Sequence, residues 1–181
     1  LVGGIVLTGG GSRRLGTDKA TLTLPDGETL AARCVRLLQV VCDAVIEVGP
    51  GVAGIESVRE DPPGGGPVAG LLAGVAVVGA PVVLLACDHP RMTTAVLERL
   101  ARHDGDSLVP VIDDRPQFVA ARYGPRAIHA LRSSFAAGDR SFRSLDLVAL
   151  DAEGADFDPE AFFDLDTPDD LVALRDDAPP R

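Results

Sequence analysis

Short apolar runs alternate with segments whose apolar residues recur every three or four positions through the first half of the chain. Gly4-Ile5-Val6-Leu7 reads as a buried first strand, and Asp43 to Val48 as a second, ended by Gly49-Pro50-Gly51. Ile55 to Arg59 is a weaker third. Between the first two, Leu30, Cys34, Leu37, Leu38 and Val41 fall on one helical face with Arg33 and Arg36 off it, so this segment is an amphipathic helix lying on a sheet, with Thr29 as its cap. Thr21-Leu22-Thr23-Leu24 alternates before Pro25-Asp26-Gly27 and predicts a short extended piece and a bend. Pro67 opens a helix to about Val78 that is apolar all round and therefore expected to be buried, with Gly70 and Gly74 on one close-packing face. Pro81 to Cys87 is the strongest strand signal. It is continuously apolar, as a central parallel strand covered on both faces should be. Thr93 or Thr94 then caps a helix carrying Val96, Leu97 and Leu100.

The second half is less regular. Ser107 to Ile112 and Gln117 to Tyr123 predict two strands joined through Asp113-Asp114-Arg115-Pro116 as a hairpin-like insert. A helix follows Pro125, with Ile128, Leu131 and Phe135 at helical spacing, and Gly138 to Ser141 breaks it. Arg140 to Leu145 reads as a short helix and Leu147 to Leu150 as a strand. Phe162 to Asp166 alternates like a strand, which puts Asp164 and Asp166 on one side. Thr167-Pro168-Asp169-Asp170 is a helix start, with Thr as cap, Pro at the first position and acids in the first turn. No repeat, low-complexity tract or long linker divides the chain, so residues 1–181 are read as one domain. Strands alternating with helices predict an α/β fold with a mostly parallel central sheet and helices on both faces.

In such sheets ligands sit at the carboxyl ends of strands. The segment directly after the first strand is therefore the first candidate: Thr8-Gly9-Gly10-Gly11-Ser12-Arg13-Arg14-Leu15-Gly16-Thr17-Asp18-Lys19. Three successive glycines let a backbone approach a ligand closely with its N–H groups turned outward, and two arginines and a lysine stand beside them. A triphosphate needs that combination. The stretch is neither a P-loop, because Thr17 stands where Lys should follow Gly16, nor a dinucleotide fingerprint, because Arg14 occupies the third glycine position.

Composition narrows the function. With 181 residues and 46% hydrophobic content there is material for one substantial core, built of aliphatics because aromatics are only 4%. A net charge of −10 argues against a general nucleic-acid or anionic-membrane surface, but a small anionic ligand can still be held by local cations and a metal. Cys34, Cys42 and Cys87 show no paired spacing, so neither a disulfide framework nor a structural zinc site is expected, and a reduced, cytoplasmic setting fits. The N-terminus lacks a basic segment leading into a long apolar stretch, so no secretory leader is expected. No apolar run reaches membrane-spanning length.

Asp88, directly after the strongest strand, is a hard oxygen ligand suited to Mg²⁺, and Asp164 or Asp166 could supply a second contact. His89, His103 and His129 have no metal spacing and are read as surface residues. No Gly-x-Ser-x-Gly elbow or other nucleophile is visible, so direct transfer by positioning and charge neutralisation is the simpler chemistry.

The segment from Leu7 to Lys19 resembles the signature L-A-G-G-x-S-x-R-M-G-x-D-K of the molybdenum cofactor guanylyltransferases, which are Rossmann-like nucleotidyltransferases. Three further blocks come in that family's order: Glu60-Asp61 leading to Gly66-Pro67-Val68-Ala69-Gly70-Leu71, then Cys87-Asp88-His89-Pro90, then Asp164 to Leu171. The resemblance implies a three-layer Rossmann-like nucleotidyltransferase fold. It implies transfer of GMP from GTP to the terminal phosphate of molybdopterin, with release of pyrophosphate and dependence on Mg²⁺, with Mn²⁺ as the alternative ion. Residues 1–90 would then be mainly the nucleotide-binding half and 91–181 the acceptor-binding half.

Carried over residue by residue, the resemblance places Leu7, Thr8, Gly9, Gly10, Gly11, Ser12, Lys19, Asp61, Gly66, Pro67 and Gly70 around the nucleotide. Arg14, Lys19 and Asp88 would be catalytic, Asp88 and Asp166 would hold the metal, and Asp164, Asp166 and Thr167 would border the acceptor. Thr8 stands where the family usually has Ala, and Leu15 where it has Met. Asp164 and Asp166 stand where it often has Asn-x-Asn; two extra charges there would repel an anionic pterin phosphate unless they hold metal or lie aside. The paired Gly9-Gly10 favours guanine over cytosine, since the cytidylyltransferase relatives tend to have Ala-Ala-Gly there. The implied partners are GTP and molybdopterin, with transient contact to cofactor-synthesis or molybdoenzyme proteins, no nucleic acid and no membrane, for a protein expected to be a monomer. A related transferase using CTP or another phosphorylated acceptor, or a nucleotide-binding module without catalysis, are the competing readings.

Overall fold

The computed structural model describes residues 1–9, 18–145 and 157–176. Its centre is a five-stranded sheet in which β1 (Gly3–Leu7) lies between β2 (Ala44–Val48) and β4 (Val82–Ala86), with β3 (Ser57–Val58) beyond β2 and β7 (Ala120–Tyr123) beyond β4. The pairs β3–β2, β2–β1 and β1–β4 are parallel; β7 runs antiparallel to β4. Successive side chains of a strand face opposite sides. In β4, Val83 and Leu85 therefore meet α1 (Leu30–Val41) and α3 (Thr94–Arg102), while Val82 and Leu84 meet α2 (Gly66–Val78) and α4 (Pro125–Ala136). All four residues are fully buried, which is why this strand reads as an unbroken apolar run. The result is three layers, with helices on both faces of a mostly parallel sheet.

The helix starts obey local chemistry. Thr29 and Thr93 accept from the N–H groups of Ala32 and Val96 and cap α1 and α3. At the start of α4, Gly124 has no capping side chain. The carboxylate of Asp106 takes that role from a distance, accepting from Arg126 N and Ala127 N. Burial disfavours its charge, yet these N–H groups and the Ser107 hydroxyl outweigh that and hold the Asp106 carboxyl below its ordinary value.

Several expectations are corrected. Helix α2 is apolar all round but buries only one side; Val77 is 48% exposed. Its buried side packs on β1 through Gly70 and Gly74. A Cβ at Gly74 would lie within 2.9 Å of three side-chain carbons of Ile5, so close packing, not all-round burial, explains the small residues. The expected hairpin insert is divided: β5 (Val111–Ile112) and β6 (Arg115–Pro116) form a small hairpin, and β7 belongs to the main sheet. Asp113 (φ 49°) and Asp114 (φ 60°) adopt the paired left-handed conformation that a tight two-residue turn demands. Thr21 is the end of a short 3₁₀ turn (Lys19–Thr21), and Thr23 makes a single bridge to Thr29. Phe162 to Asp166 is not a strand: a 3₁₀ turn (Pro159–Phe162) leads into an extended segment and then α5 (Pro168–Asp176). The predicted strand at Leu147–Leu150 lies outside the described residues. Among the described residues no helix is long and apolar enough to cross a membrane.

One charge sits deep beside the sheet. Glu47 of β2 is fully buried. Its carboxylate accepts from the backbone N–H groups of Gly51 (2.9 Å), Val52 (3.0 Å) and Ala53 (2.8 Å), and from the hydroxyl of Thr8. It thereby ties the loop after β2 to the end of β1. Burial disfavours the ionised form, but the four hydrogen bonds together outweigh it and hold the carboxyl below its ordinary value. Glu47→Ala should lower the unfolding free energy by about 2–4 kcal/mol in urea denaturation, because it strands these donors. A lowered folded pKa contributes stability that is complete above the unfolded value of about 4.3 and is lost as pH falls through the folded one. The stability gap between wild type and Glu47→Gln should accordingly shrink as urea titrations are taken below that pH.

Candidate active site at the carboxyl ends of β1 and β4

Parallel pairing runs β1 and β4 side by side, with Leu7 opposite Ala86, and Cys87 N continues the ladder by donating to Leu7 O at 3.1 Å. The chain leaving β1 and the chain leaving β4 therefore emerge together. A cavity of about 280 Å³ opens there, and its wall includes Leu7, Thr8, Gly9, Lys19, Pro67 and Asp88. Asp18, Ala86, Cys87 and Val119 complete it. A second cavity of about 350 Å³ shares Leu7, Gly9 and Pro67 with the first and continues along Val48, Glu60, Gly64, Gly66 and Gly70. The two form one crevice divided at Pro67. The start of α2 faces it, so the positive end of that helix adds to its attraction for anions. Gly66 has φ 81°, and a Cβ there would meet nothing within 4 Å: glycine supplies conformation at this position. At Gly70 it supplies space, since a Cβ would come within 2.8 Å of Leu7 Cδ2.

The predicted residues divide accordingly. Leu7, Thr8, Gly9, Lys19, Pro67 and Asp88 meet in the first cavity, and Gly66 and Gly70 in the second. Asp61 is exposed and lines neither of the two; its neighbour Glu60 does. Gly10, Gly11, Ser12 and Arg14 lie outside the described residues. Thr167 caps α5 in a reciprocal arrangement: Asp170 N donates to Thr167 Oγ1, while Thr167 N and Oγ1 donate to Asp170 Oδ2.

The segment 160–166 packs against residues that line the first cavity. Leu165, fully buried, donates its N–H to Asp88 O at 2.9 Å. On either side of it, Asp164 Oδ1 lies 3.1 Å from His89 Nδ1, and Asp166 Oδ1 lies 2.6 Å from Lys19 Nζ. Farther back, Arg91 pairs with Glu160 at 2.6 Å and stacks over the Phe163 ring. Arg33 from α1 donates to Pro90 O at 3.0 Å and holds the same turn from below.

His89 was expected at the surface and is 1% exposed. Its Nε2 faces Asp88 Oδ1 at 3.8 Å. Burial alone would lower its pKa, but Asp164, then Asp88, then the Phe163 backbone outweigh burial and raise it above its ordinary value. No metal spacing in the sequence marked this residue, because its partner Asp164 is remote in the chain. Glu47 was likewise unmarked, though a lone acid inside the apolar run Ala44–Val48 was a signal for it; Glu60 stood in a block of the resemblance but was given no role.

Asp88, His89 and Asp164 offer ligand atoms all within 4.8 Å of one another, and Asp166 is not in that group. Asp88 Oδ1 and both ring nitrogens of His89 are buried with no hydrogen-bond partner among the described residues, while the Asp88 side chain as a whole is 32% exposed. A carboxylate in that state, at the wall of a cavity with a lysine, suits a hard divalent cation. Burial, and then the charge of Asp88, push the thiol of Cys87 beside it up to about 12, which disfavours its nucleophilic thiolate form.

Residues 4–151 match the family model of the MobA-like NTP transferase domain. The probable molybdenum cofactor guanylyltransferase of Chloroflexus aggregans is 35% identical over 97% of this chain and 94% of its own. The molybdenum cofactor guanylyltransferase of Rhodobacter capsulatus is 34% identical over 97% and 95%. Among solved structures, molybdopterin-guanine dinucleotide biosynthesis protein A from Archaeoglobus fulgidus superposes with a TM-score of 0.77 at 24% identity, covering 96% of this chain and 97% of that one. With its matched domain and relatives that align along nearly its whole length, the chain belongs to the family of the molybdenum cofactor guanylyltransferases, Rossmann-like nucleotidyltransferase enzymes carrying the MobA-like domain.

Proposed function

We propose that this enzyme transfers GMP from GTP to the terminal phosphate of molybdopterin, yielding the guanine dinucleotide cofactor and pyrophosphate. The observation that carries this reading is the single crevice in which Gly9, Lys19 and Asp88 share a wall next to the start of α2. In this reading the triphosphate occupies the first cavity and the base the second, between Gly9, Pro67 and Gly70 and beside the Glu60–Asp61 edge. Residues 1–90 supply most of these walls, and the segment 164–167 from the second half borders the acceptor. Arg14, with Gly10, Gly11 and Ser12, extends the phosphate contacts from the glycine loop.

A terminal phosphate oxygen of molybdopterin attacks the α-phosphorus of GTP. The new P–O bond forms as the bond to the α–β bridging oxygen breaks, and that electron pair leaves on pyrophosphate. The attacking oxygen is already anionic, so no strong general base is required; the difficulty is repulsion between two anions. Lys19 supplies a fixed cation against it. Asp88 would hold Mg²⁺ or Mn²⁺, which supplies charge neutralisation at the triphosphate when bound. We assign Asp166 to Lys19 rather than to the metal.

The two acids that would repel the acceptor both lie beside basic side chains. Before the nucleotide binds, Asp166 is matched by Lys19, and Asp164 lies 3.1 Å from the His89 ring.

Pyrophosphate release measured with ATP, CTP, GTP and UTP, with and without molybdopterin, should require GTP, the pterin and a divalent ion. Preference for CTP, or release independent of the pterin, would overturn the assignment. Asp88→Ala should reduce the rate about 100-fold or more while its melting temperature holds. A triphosphate that takes over Lys19 must displace Asp166. Asp166→Asn should therefore bind GTP about two- to fivefold more tightly in calorimetry, the scale of one partly exposed ion pair; unchanged affinity would mean that Lys19 keeps Asp166 in the complex.

A further inference from the structure

The metal-binding reading leaves one buried polar group without a task, His89. Its ring is 1% exposed, edge-on to Phe162 at a centroid distance of 6.3 Å, and it stands between two carboxylates. Nδ1 is 3.1 Å from Asp164 Oδ1, and Nε2 is 3.8 Å from Asp88 Oδ1. Asp88 Oδ1 and both ring nitrogens are sealed from solvent, and none of the three makes a hydrogen bond among the described residues. Asp164 is the opposite case: its side chain is 55% exposed.

We propose that Asp164 and His89 are positioning residues that orient Asp88. Asp164 stands against the ring at Nδ1 and attracts it by charge, and Nε2 faces the inner oxygen of Asp88 across 3.8 Å, which leaves the outer oxygen to the cavity. This rests on the reading that Asp88 holds the divalent ion, and it adds an outer layer to that site built from this chain's own sequence. The fold supports it independently of side-chain chemistry, because the Leu165 N–H to Asp88 O bond pins the backbone on which Asp164 rides. A ligand carboxylate left to rotate must be ordered when the metal binds; one held by a buried ring is ordered beforehand. The arrangement also gives the acid at 164 a use, where a neutral amide would hold the ring less firmly.

The test measures Mn²⁺ affinity directly by electron paramagnetic resonance, apart from turnover, on the full chain with melting temperatures recorded. Asp164→Asn and His89→Phe should each weaken Mn²⁺ binding about tenfold, the usual scale for loss of an outer-shell partner. His89→Gln, whose amide nitrogen can reach toward Asp88, should fall between His89→Phe and wild type. Were the ring only a nearby cation, its removal would tighten Mn²⁺ binding; that result in either His89 variant overturns the proposal. Wild-type affinity in Asp164→Asn also overturns it, as does a nitrogen coupling to bound Mn²⁺ in pulsed spectra, which would make His89 a ligand. Should His89→Phe fail to fold, Asp164→Asn and His89→Gln still decide the matter. If Asp88→Asn binds Mn²⁺ as tightly as wild type, the metal assignment of Asp88 itself is what fails.

Discussion

The parallel pairing of β1 with β4 is the constraint on which the site depends. Because Leu7 is registered with Ala86, and Cys87 extends the ladder by one more bond to Leu7, Thr8 and Asp88 leave the sheet side by side. Gly9 and Lys19 come to the cavity from the chain after β1, and Asp88 from the turn after β4. Both strands are buried on two faces by separate helical layers, so the register that aligns them is held by most of the hydrophobic core.

A second constraint comes from the far end of the chain. The segment 160–166 is tied to the turn after β4 by Leu165 to Asp88, Asp164 to His89 and Arg91 to Glu160, and to the chain after β1 by Asp166 to Lys19. These contacts differ in strength. Lys19–Asp166 and Asp164–His89 each include a half-exposed acid and are modest in water, whereas Leu165 is fully buried and its backbone bond is shielded. The segment is thus anchored by its backbone and the apolar side chain of Leu165.

Thr8 shows how one departure from a family pattern is compensated within the same chain. Its hydroxyl donates to Glu47, which also gathers three N–H groups of the loop after β2. An alanine could not do this, and Glu47 would then lose one of the donors that offset its buried setting. The pair binds the rims of two neighbouring strands, one of which leads into the glycine loop.

The sequence by itself determined the layers and the identity of the crevice-forming segments. The apolar run at 82–86, the helical face at 30–41, the threonine caps and the glycine-rich block after β1 are local signals whose physical cause is local: periodicity, capping and turn chemistry. It also marked Lys19 and Asp88, because each comes after a strand end where ligands gather. What it could not determine was pairing between distant residues. His89 gave no local sign of burial between two acids, Asp166 no sign that it serves Lys19, and the region 107–123 no sign that β7 would join the main sheet while β5 and β6 stayed apart. Helix α2 was apolar all round in sequence, yet only packing against Ile5 and Leu7 decided which side was covered. Those outcomes depend on contacts made across long stretches of chain, and only the tertiary structure sets them.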